Sequence, residues 1–329
     1  MNNVKLLTAR ELSSTTALML DVVIAISPVL IWGVVAFGMR ALIVVLIASA
    51  AAAASEALLR LILRRKQRFI DLSAIISGMI LALTLPASAP YWIPALGGAL
   101  ASVLKQAFGG GRCPFNSTAA AHVVLHIVAA PAMRYFTEPF NWLPVDGSVS
   151  VEPFKTPIEI IAEGAMPSQN MLELWLGKGG GAIGEVSAVF IILGALYLLY
   201  RRVITWHIPV TFIGVTALLF GFFPQSVDVT GYLFGELITG GIIFSAVFAA
   251  VDFGGTPISV PAKIIFGAVC GALTVLIRFY GGSHDGAFAA VFAVSLAARP
   301  LDALFSSLRF GSSHKKKNAA LLAKIKTGK

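Results

Sequence analysis

Long apolar stretches recur along the chain, separated by short polar or basic segments. Ten of them are long enough to predict membrane-spanning helices, since about 20 mostly apolar residues cross a bilayer. They are residues 17–38, 41–62, 71–87, 91–108, 116–136, 183–200, 203–222, 232–251, 262–280 and 286–308. No long alternation of apolar and polar positions occurs, so the pattern predicts an all-α integral membrane protein.

Composition supports this prediction and removes its main rivals. The chain has 329 residues, of which 57% are hydrophobic and 12% are charged, whereas a soluble domain carries about 25% charged residues. An ordinary cytosolic enzyme and an intrinsically disordered chain are therefore excluded. Two cysteines, Cys113 and Cys270, are too few for a disulfide framework or a tetrahedral metal site. We therefore predict no metal site.

The distribution of charge predicts the topology. If the N-terminus is cytoplasmic, nineteen of the 25 basic residues fall on the cytoplasmic side, many of them in the tail 309–329. Such an excess of Lys and Arg is typical of cytoplasmic segments. Both termini are then expected in the cytoplasm, and the acidic loop 137–182 is expected outside. The basic tail suits contact with anionic membrane lipid better than nucleic acid.

The ten predicted spans divide into two similar halves. The glycine-centred pattern that begins at Gly98 recurs at Gly271, with a single-residue gap. Five spans per half make the repeats inverted, and inverted repeats place a site near the membrane midplane. The alternative is a chance likeness between helices rich in Gly, Ala and Leu. The predicted divisions are 1–16, a cytoplasmic segment; 17–136, the first repeat; 137–182, the outer loop; 183–308, the second repeat; and 309–329, the tail.

Several ionisable side chains lie within the predicted spans or at their ends. Charge inside a membrane is costly and indicates function by default. Four acids are candidates for an ion pathway: Asp71, Asp252, Asp285 and Asp302. The competing interpretation is that these side chains only reach the interface or cap helices. Two glycine-rich loops, 109–112 and 179–184, precede predicted spans and would allow a ligand to approach the backbone.

Several motifs, in order along residues 10–308, resemble one family of membrane redox subunits. They are residues 71–86, 114–116, 183–187, 202–206, 264–267 and 276–278. The pattern is similar to the D subunit of the Rnf ion-translocating ferredoxin:NAD oxidoreductase complex. That family also includes the B subunit of the sodium-pumping NADH:quinone reductase. The chain lacks the longer N-terminal extension of the quinone-reductase subunit, which favours the Rnf type.

The resemblance implies a fold, a function and cofactors. The fold would be ten transmembrane helices in two inverted five-helix repeats, like the urea-channel bundle. The function would be electron transfer coupled to Na⁺ or H⁺ translocation, in a translocase subunit of the bacterial inner (plasma) membrane. The chain would receive electrons from an outer-face flavoprotein subunit and would have A-, B-, C-, E- and G-like subunits as partners.

The resemblance also implies which residues bind flavin. Thr156 corresponds to the threonine that carries FMN through a phosphoester bond in this family, and riboflavin is expected near Phe115 and Asn116. Gly184 and Glu185 are further candidate cofactor-binding residues. Two positions depart from the family pattern: Cys113 replaces an asparagine and Ser150 replaces an acidic residue.

Two other functions remain open from the sequence. One is a channel or transporter of the same inverted-repeat fold without redox activity. The other is a scaffold subunit that has no covalent flavin.

Overall fold

The computed structural model describes residues 2–63, 72–110, 113–145, 154–163, 165, 170–225, 229–239, 241–249, 255–280 and 286–305. Within these ranges all regular structure is helical, and no strand occurs. The first half holds α1 (Asn2–Phe37), α2 (Met39–Ile62), α3 (Leu72–Leu83), α4 (Trp92–Ala107), α5 (Ser117–Val128) and α6 (Ala130–Arg134). The outer loop holds α7 (Pro157–Ala162) and α8 (Met171–Leu176). The second half holds α9 (Ala188–Tyr200), α10 (His207–Phe222), α11 (Val229–Ile238), α12 (Ile242–Phe248), α13 (Val260–Tyr280), α14 (Ala287–Ser295) and α15 (Ala298–Phe305).

The long helices have the dimensions of membrane spans. Three stretches are long and apolar enough to cross a bilayer alone: Thr16–Phe37, Met39–Ile62 and Val260–Tyr280. Two bent pairs raise the number to five: α11 with α12, bent by 42°, and α14 with α15, bent by 51°. Four shorter helices, α3, α5, α9 and α10, are also apolar. This is the architecture of a multi-pass membrane protein.

Helix packing builds a large apolar core that spans both halves, beside a small separate cluster of Cys113, Phe115 and Ala120. In the first half α2 packs against α3 and α4, and in the second half α10 packs against α13. Contacts between α1 and α9, and between α5 and α14, join the halves. The buried rings of Phe244, Phe248 and Phe288 lie in this core, together with many alanines that let backbones approach closely.

Two predicted spans are interrupted at a proline or a left-handed glycine. The span expected over 116–136 stops at Ala129, and α6 then begins with Pro131 in its first turn. The span expected over 232–251 is divided at Gly241, which has a left-handed φ of 69° that favours glycine. Pro28, by contrast, lies inside the continuous helix α1. Neighbouring helices can satisfy the backbone groups that such breaks release.

The long outer loop has structure of its own. Both of its short helices begin with a capping box, in which a side chain and a backbone N–H exchange hydrogen bonds across one turn. Thr156 pairs with Glu159 at the start of α7, and Asn170 pairs with Glu173 at the start of α8.

Candidate functional site

The end of α3 meets the loop that precedes α9. The carbonyl of Leu83 accepts a hydrogen bond from the N–H of Gly184 at 2.7 Å, and the carbonyl of Leu85 accepts from Ile183 at 3.0 Å. The last carbonyls of a helix have no partner within that helix, so the loop completes the end of α3. This contact places Gly184 and Glu185 in the interior, where the two halves join.

Glu185 lies at the break between α11 and α12. Its side chain is buried against Gly241, the residue before α12, and a Cβ at position 241 would lie 2.1 Å from Glu185 Oε1. Glycine at 241 therefore serves both the left-handed turn and the close approach of the carboxylate. A carboxylate beside a helix start is electrostatically favourable.

A buried Thr–His pair lies in the turn after α3. Thr84 Oγ1 and His122 Nδ1 are 2.9 Å apart, and the same hydroxyl donates to the carbonyl of Leu81 at 2.7 Å. A hydroxyl has one proton, so His122 Nδ1 is the donor to Thr84. The His122 ring lies 4.9 Å from that of Phe288 and 4.5 Å from that of His126. His122 and His126 are four residues apart on α5, whereas Thr84 is 38 residues from His122 in sequence.

Asn116 joins three helices at the start of α5. Its side chain is 0% exposed; Oδ1 accepts from Ala119 N at 2.9 Å and Nδ2 donates to the carbonyl of Ala249 at 2.9 Å. Its own N–H donates to Ser295 Oγ at 3.0 Å. Gly255 packs so closely that a Cβ there would lie 2.3 Å from Asn116 N. Asn116 is therefore first a structural clamp between α5, the end of α12 and α14.

The residues around Asn116 offer groups that suit a flavin. The Phe115 ring contacts Phe108 and Phe292 edge-on, with centroids 5.1 and 5.9 Å away, and Phe108 is exposed. The buried hydroxyl of Thr118 has no hydrogen-bond partner among the described residues, and the same holds for Ser102 on α4. An aromatic surface beside unused donors matches the needs of a ring system with polar edges.

Thr156 lies in a different site. Its side chain is 7% exposed and accepts from Glu159 N at 3.4 Å, while its own N–H donates to Glu159 Oε2 at 2.9 Å. Pro157 packs against Gly179, and Phe154 packs against Gly180. Thr156 thus lies within the outer loop, whereas Asn116 bonds α12 and α14, so the two predicted flavin positions are separate.

Asp302 is the one ion-pathway candidate that the structure describes. Its carboxylate accepts from Ile258 N at 2.7 Å, from Ser259 N at 2.9 Å and from Ser259 Oγ at 2.9 Å. It fastens α15 to the start of α13. Three other predicted pathway acids lie outside the described residues: Asp71, Asp252 and Asp285.

Other acids predicted within spans are paired with arginines. Asp21 on α1 bonds Arg201 at 3.1 Å, across the interface with α9. Glu56 on α2 bonds Arg60 and accepts from Gln106 Nε2 at 2.5 Å. Pairing of this kind lowers the cost of a buried charge.

The Glu236–Arg278 pair is the most deeply buried ion pair in the described part of the chain. Arg278 NH1 lies 2.5 Å from Glu236 Oε2, and their side chains are 3% and 6% exposed. The guanidinium also donates to the carbonyls of Glu236 and Thr239 at 2.8 and 3.3 Å, where α11 ends. The sequence indicates only an acid near a helix start at Glu236, and it does not predict a partner 42 residues away.

Arg40 is a second buried arginine, and its partners are carbonyls. The side chain is 0% exposed and donates to Ala87 O at 2.8 Å and Pro144 O at 3.0 Å, with longer bonds to Ser88 and Ala89. Its guanidinium carbon lies 5.1 Å from the Tyr91 ring centroid. From the sequence Arg40 was only one of the basic residues of the outer side.

Comparison with known proteins identifies the family. Residues 8–311 match the model of the NQR2, RnfD, RnfE family. The chain belongs to this family. The resemblance in the sequence motifs is thereby confirmed.

Curated relatives cover nearly the whole chain. It is 32% identical to the D subunit of the Na(+)-translocating ferredoxin:NAD(+) oxidoreductase complex of Acetobacterium woodii, over 94% of this chain and 95% of the relative. It is 28% identical to the D subunit of the proton-translocating ferredoxin:NAD(+) oxidoreductase complex of Clostridium ljungdahlii, over 91% and 92%. It is 32% identical to the D subunit of the ion-translocating oxidoreductase complex of Stutzerimonas stutzeri, over 86% and 88%.

Proposed function

We propose that the chain is a flavin-carrying membrane subunit of an ion-translocating ferredoxin:NAD⁺ oxidoreductase complex. It passes electrons between an outer-face flavoprotein subunit and other membrane redox subunits, and this transfer is coupled to Na⁺ or H⁺ movement. The observation that carries the proposal is the family match over residues 8–311, with relatives of that name along most of the chain.

The proposed fold is ten spans in two inverted repeats. Helix packing supports it, because the two glycines aligned in the sequence make equivalent contacts. Gly98 of α4 packs against the backbone of Ala48 in α2, and Gly271 of α13 packs against the backbone of Phe212 in α10. The fourth span of each half thus lies on the second.

The proposed orientation has both termini in the cytoplasm of a bacterial inner membrane. Arg201, Arg202 and Lys263 support it, since all three lie near the starts of α10 and α13, at one end of the second half. Basic residues collect on the cytoplasmic side of membrane proteins.

The inner flavin is proposed to bind at Phe115–Thr118. A bound flavin supplies the redox chemistry, and the protein binds it, orients it and sets its environment. Phe115 and Phe108 provide the aromatic surface, and the unused Thr118 hydroxyl can hydrogen-bond a polar edge. The Asn116 amide is engaged with Ala119 and Ala249, so its proposed role is to hold this loop in place.

The outer FMN is proposed to be attached to Thr156. Its hydroxyl is the group that a phosphoester requires, and Gly179 and Gly180 pack against Pro157 and Phe154, the residues near Thr156 at the start of α7. Gly184 and Glu185 then connect the outer loop to the core at the end of α3.

Ion movement is proposed to involve Asp71, Asp252 and Asp285. Asp302 is a further candidate, and its carboxylate would have to release its bonds to Ile258 and Ser259 to take part. Asn substitution of Asp71 or Asp252 is expected to reduce ion transport by the intact complex. Unchanged transport would refute their role.

One experiment tests the flavin assignments directly. The complex is purified with the wild-type chain, Thr156→Ser or Thr156→Val, then denatured in SDS, and the band of this chain is examined for flavin fluorescence and by peptide mass spectrometry. Wild type is expected to carry label on Thr156, and Thr156→Val is expected to carry none. Serine retains the hydroxyl and the cap, which separates loss of attachment from loss of folding.

The noncovalent flavin is measured on the same samples by acid extraction. Riboflavin is expected in wild type and is expected to fall in Thr118→Val. Extractable riboflavin without label on Thr156 would leave noncovalent electron transfer only. Absence of both flavins would reject the electron-transfer proposal and favour the channel or scaffold function.

A further inference from the structure

A cavity of about 240 Å³ opens between the start of α10 and the start of α13. Its walls come from the segment before α10 and its first turn, and from the segment before α13 and its first turn: Val203, Ile204, Thr205, Ile208, Thr256, Pro257, Ile258 and Lys263. One water molecule needs roughly 10–15 Å³ by the same measure, so the cavity can hold a polyatomic ligand. None of its lining residues belongs to the proposed flavin sites or the ion pathway.

The polar groups of this cavity suit an anion. Lys263 supplies an ammonium group, and Thr205 and Thr256 supply hydroxyls. Lys263 Nζ donates to Thr205 Oγ1 at 3.2 Å, and no carboxylate pairs with it within the described ranges. The neighbouring Asp302 does not line the cavity, and both of its oxygens accept bonds from residues 258 and 259.

Both flanking helices point their positive ends to this region. A Cβ at Gly267 would meet Ile208 and Thr211, and one at Gly271 would meet Phe212 and Thr216. The contact advances along both helices together, so α10 and α13 run parallel and begin at the same end. The N-terminal end of α10 carries partial positive charge, which adds to that of Lys263, whereas at α13 the Asp302 carboxylate bonded to Ile258 N and Ser259 N offsets the helix charge.

The cavity lies at the membrane boundary. Val260 begins a helix with the length and composition of a membrane span, and the cavity surrounds that start. Trp206, beside the lining residue Thr205, is exposed, as aromatic residues are at the interface. Ile258 in the wall is 85% exposed, and Val210 and Ile264, one turn deeper, are exposed apolar residues.

From these observations we infer that the cavity binds the phosphate group of an anionic phospholipid. Lys263 provides the charge, Thr205 and Thr256 provide hydrogen bonds, and the acyl chains lie along the apolar surface at Val210 and Ile264. Basic pockets between membrane helices commonly bind such headgroups. The adjoining apolar surface favours a lipid over a soluble phosphate.

The test measures lipid binding by native mass spectrometry on the intact complex in detergent. The complex is titrated with phosphatidylglycerol, phosphatidylcholine or inorganic phosphate. Phosphatidylglycerol is expected to bind preferentially, and Lys263→Met is expected to weaken it about fivefold, the effect of one lysine near a membrane surface. Lys105→Met is the matched control, because Lys105 also bonds serine hydroxyls but lies outside the cavity.

A second variant distinguishes binding in this cavity from a general attraction of the lipid to positive charge. Thr205→Val with Thr256→Val keeps the lysine and is expected to weaken phosphatidylglycerol binding while the complex stays assembled. Equal effects of Lys263→Met and Lys105→Met would overturn the site. The other adverse outcome is that inorganic phosphate displaces phosphatidylglycerol when both are present at the lipid concentration that saturates the Lys263-dependent binding. That result would overturn the lipid assignment.

Discussion

Arg40 and Arg278 are two buried arginines that solve the same problem in different ways. Each is nearly inaccessible, with exposures of 0% and 3%, and each donates to carbonyls where a helix or turn ends. Each also lies near an aromatic ring, Tyr91 or Phe220. Arg278 has a carboxylate partner, Glu236, whereas the partners of Arg40 in the described ranges are carbonyls.

The difference shows that a buried guanidinium does not require an opposite formal charge. Its five N–H groups can be satisfied by several carbonyl dipoles that converge from two segments. In Arg40 these are residues 87–89, after α3, and Pro144 of the outer loop. The carbonyls belong to the backbone, so no side-chain substitution can remove them.

The largest effect is expected from Arg40→Met. The bonds to the carbonyls of Ala87, Ser88 and Ala89 would be lost and these buried acceptors left without a donor, at about 1–3 kcal/mol each. Thermal unfolding of the detergent-purified complex should show the greatest loss of all the variants, without rescue by a second side-chain change. A loss no larger than that of an exposed arginine variant, Arg202→Gln, would show that the carbonyls do not stabilise Arg40.

Arg278→Met is expected to cost about 3–5 kcal/mol, because Glu236 remains as an unpaired buried carboxylate. In contrast to Arg40→Met, the stability lost in Arg278→Met can be recovered by a second substitution. The double variant with Glu236→Met removes both charges and should recover most of the unfolding temperature, since apolar replacement of a whole buried pair is often neutral. Failure of the double variant to recover would mean that the pair fixes the end of α11 by geometry.

Glu236→Gln removes the carboxylate partner of Arg278 and so makes its surroundings resemble those of Arg40. Arg278 would keep the carbonyls of Glu236 and Thr239, in the manner of Arg40. The expected loss is about 1–3 kcal/mol, that of one hydrogen bond to a charged group. An unfolding temperature as low as that of Arg278→Met would show that carbonyls alone cannot hold Arg278.

The smallest change in stability is expected when the exposed Glu173–Lys178 pair is broken. Lys178 Nζ donates to Glu173 Oε1 at 2.9 Å, and this bond, followed by that from Asn170 N, lowers the pKa of Glu173. A lowered carboxyl pKa stabilises the fold above the unfolded pKa, and this is lost as the pH falls. The small difference in stability between wild type and Glu173→Gln should therefore narrow as the pH falls below the ordinary pKa of a glutamate and through the lowered pKa of folded Glu173. A difference that grows on acidification would contradict the assignment.

Sequence reasoning predicted the all-helical class and the longest spans because lipid imposes a simple rule on apolar length, but of the ten predicted spans three, or five with the bent pairs, have membrane length in the described ranges. The spans at 17–38, 41–62 and 262–280 agree with three membrane-length helices to within a few residues. Helices break near Pro131 and at Gly241, whereas Pro28 is accommodated within α1. Neighbouring helices decide such cases, and the local sequence does not reveal which helices those are.

The partners of buried polar residues were beyond sequence reasoning. Asn116 was expected to start a helix and to lie near riboflavin, and the first expectation is confirmed by its bond to Ala119 N. Its bonds to Ala249 and Ser295 reach over more than 130 residues. No local spacing encodes such contacts, because they depend on how the halves pack.

The Asn116 clamp has a mechanical consequence. To separate α5 from α12 and α14, its bonds to Ala249 and Ser295 would have to break away from water, at about 1–3 kcal/mol each. Rocking of one half against the other is therefore opposed at this end of the bundle. At Asn116 the protein therefore acts as a rigid frame that fixes the distance between α5 and the helices α12 and α14.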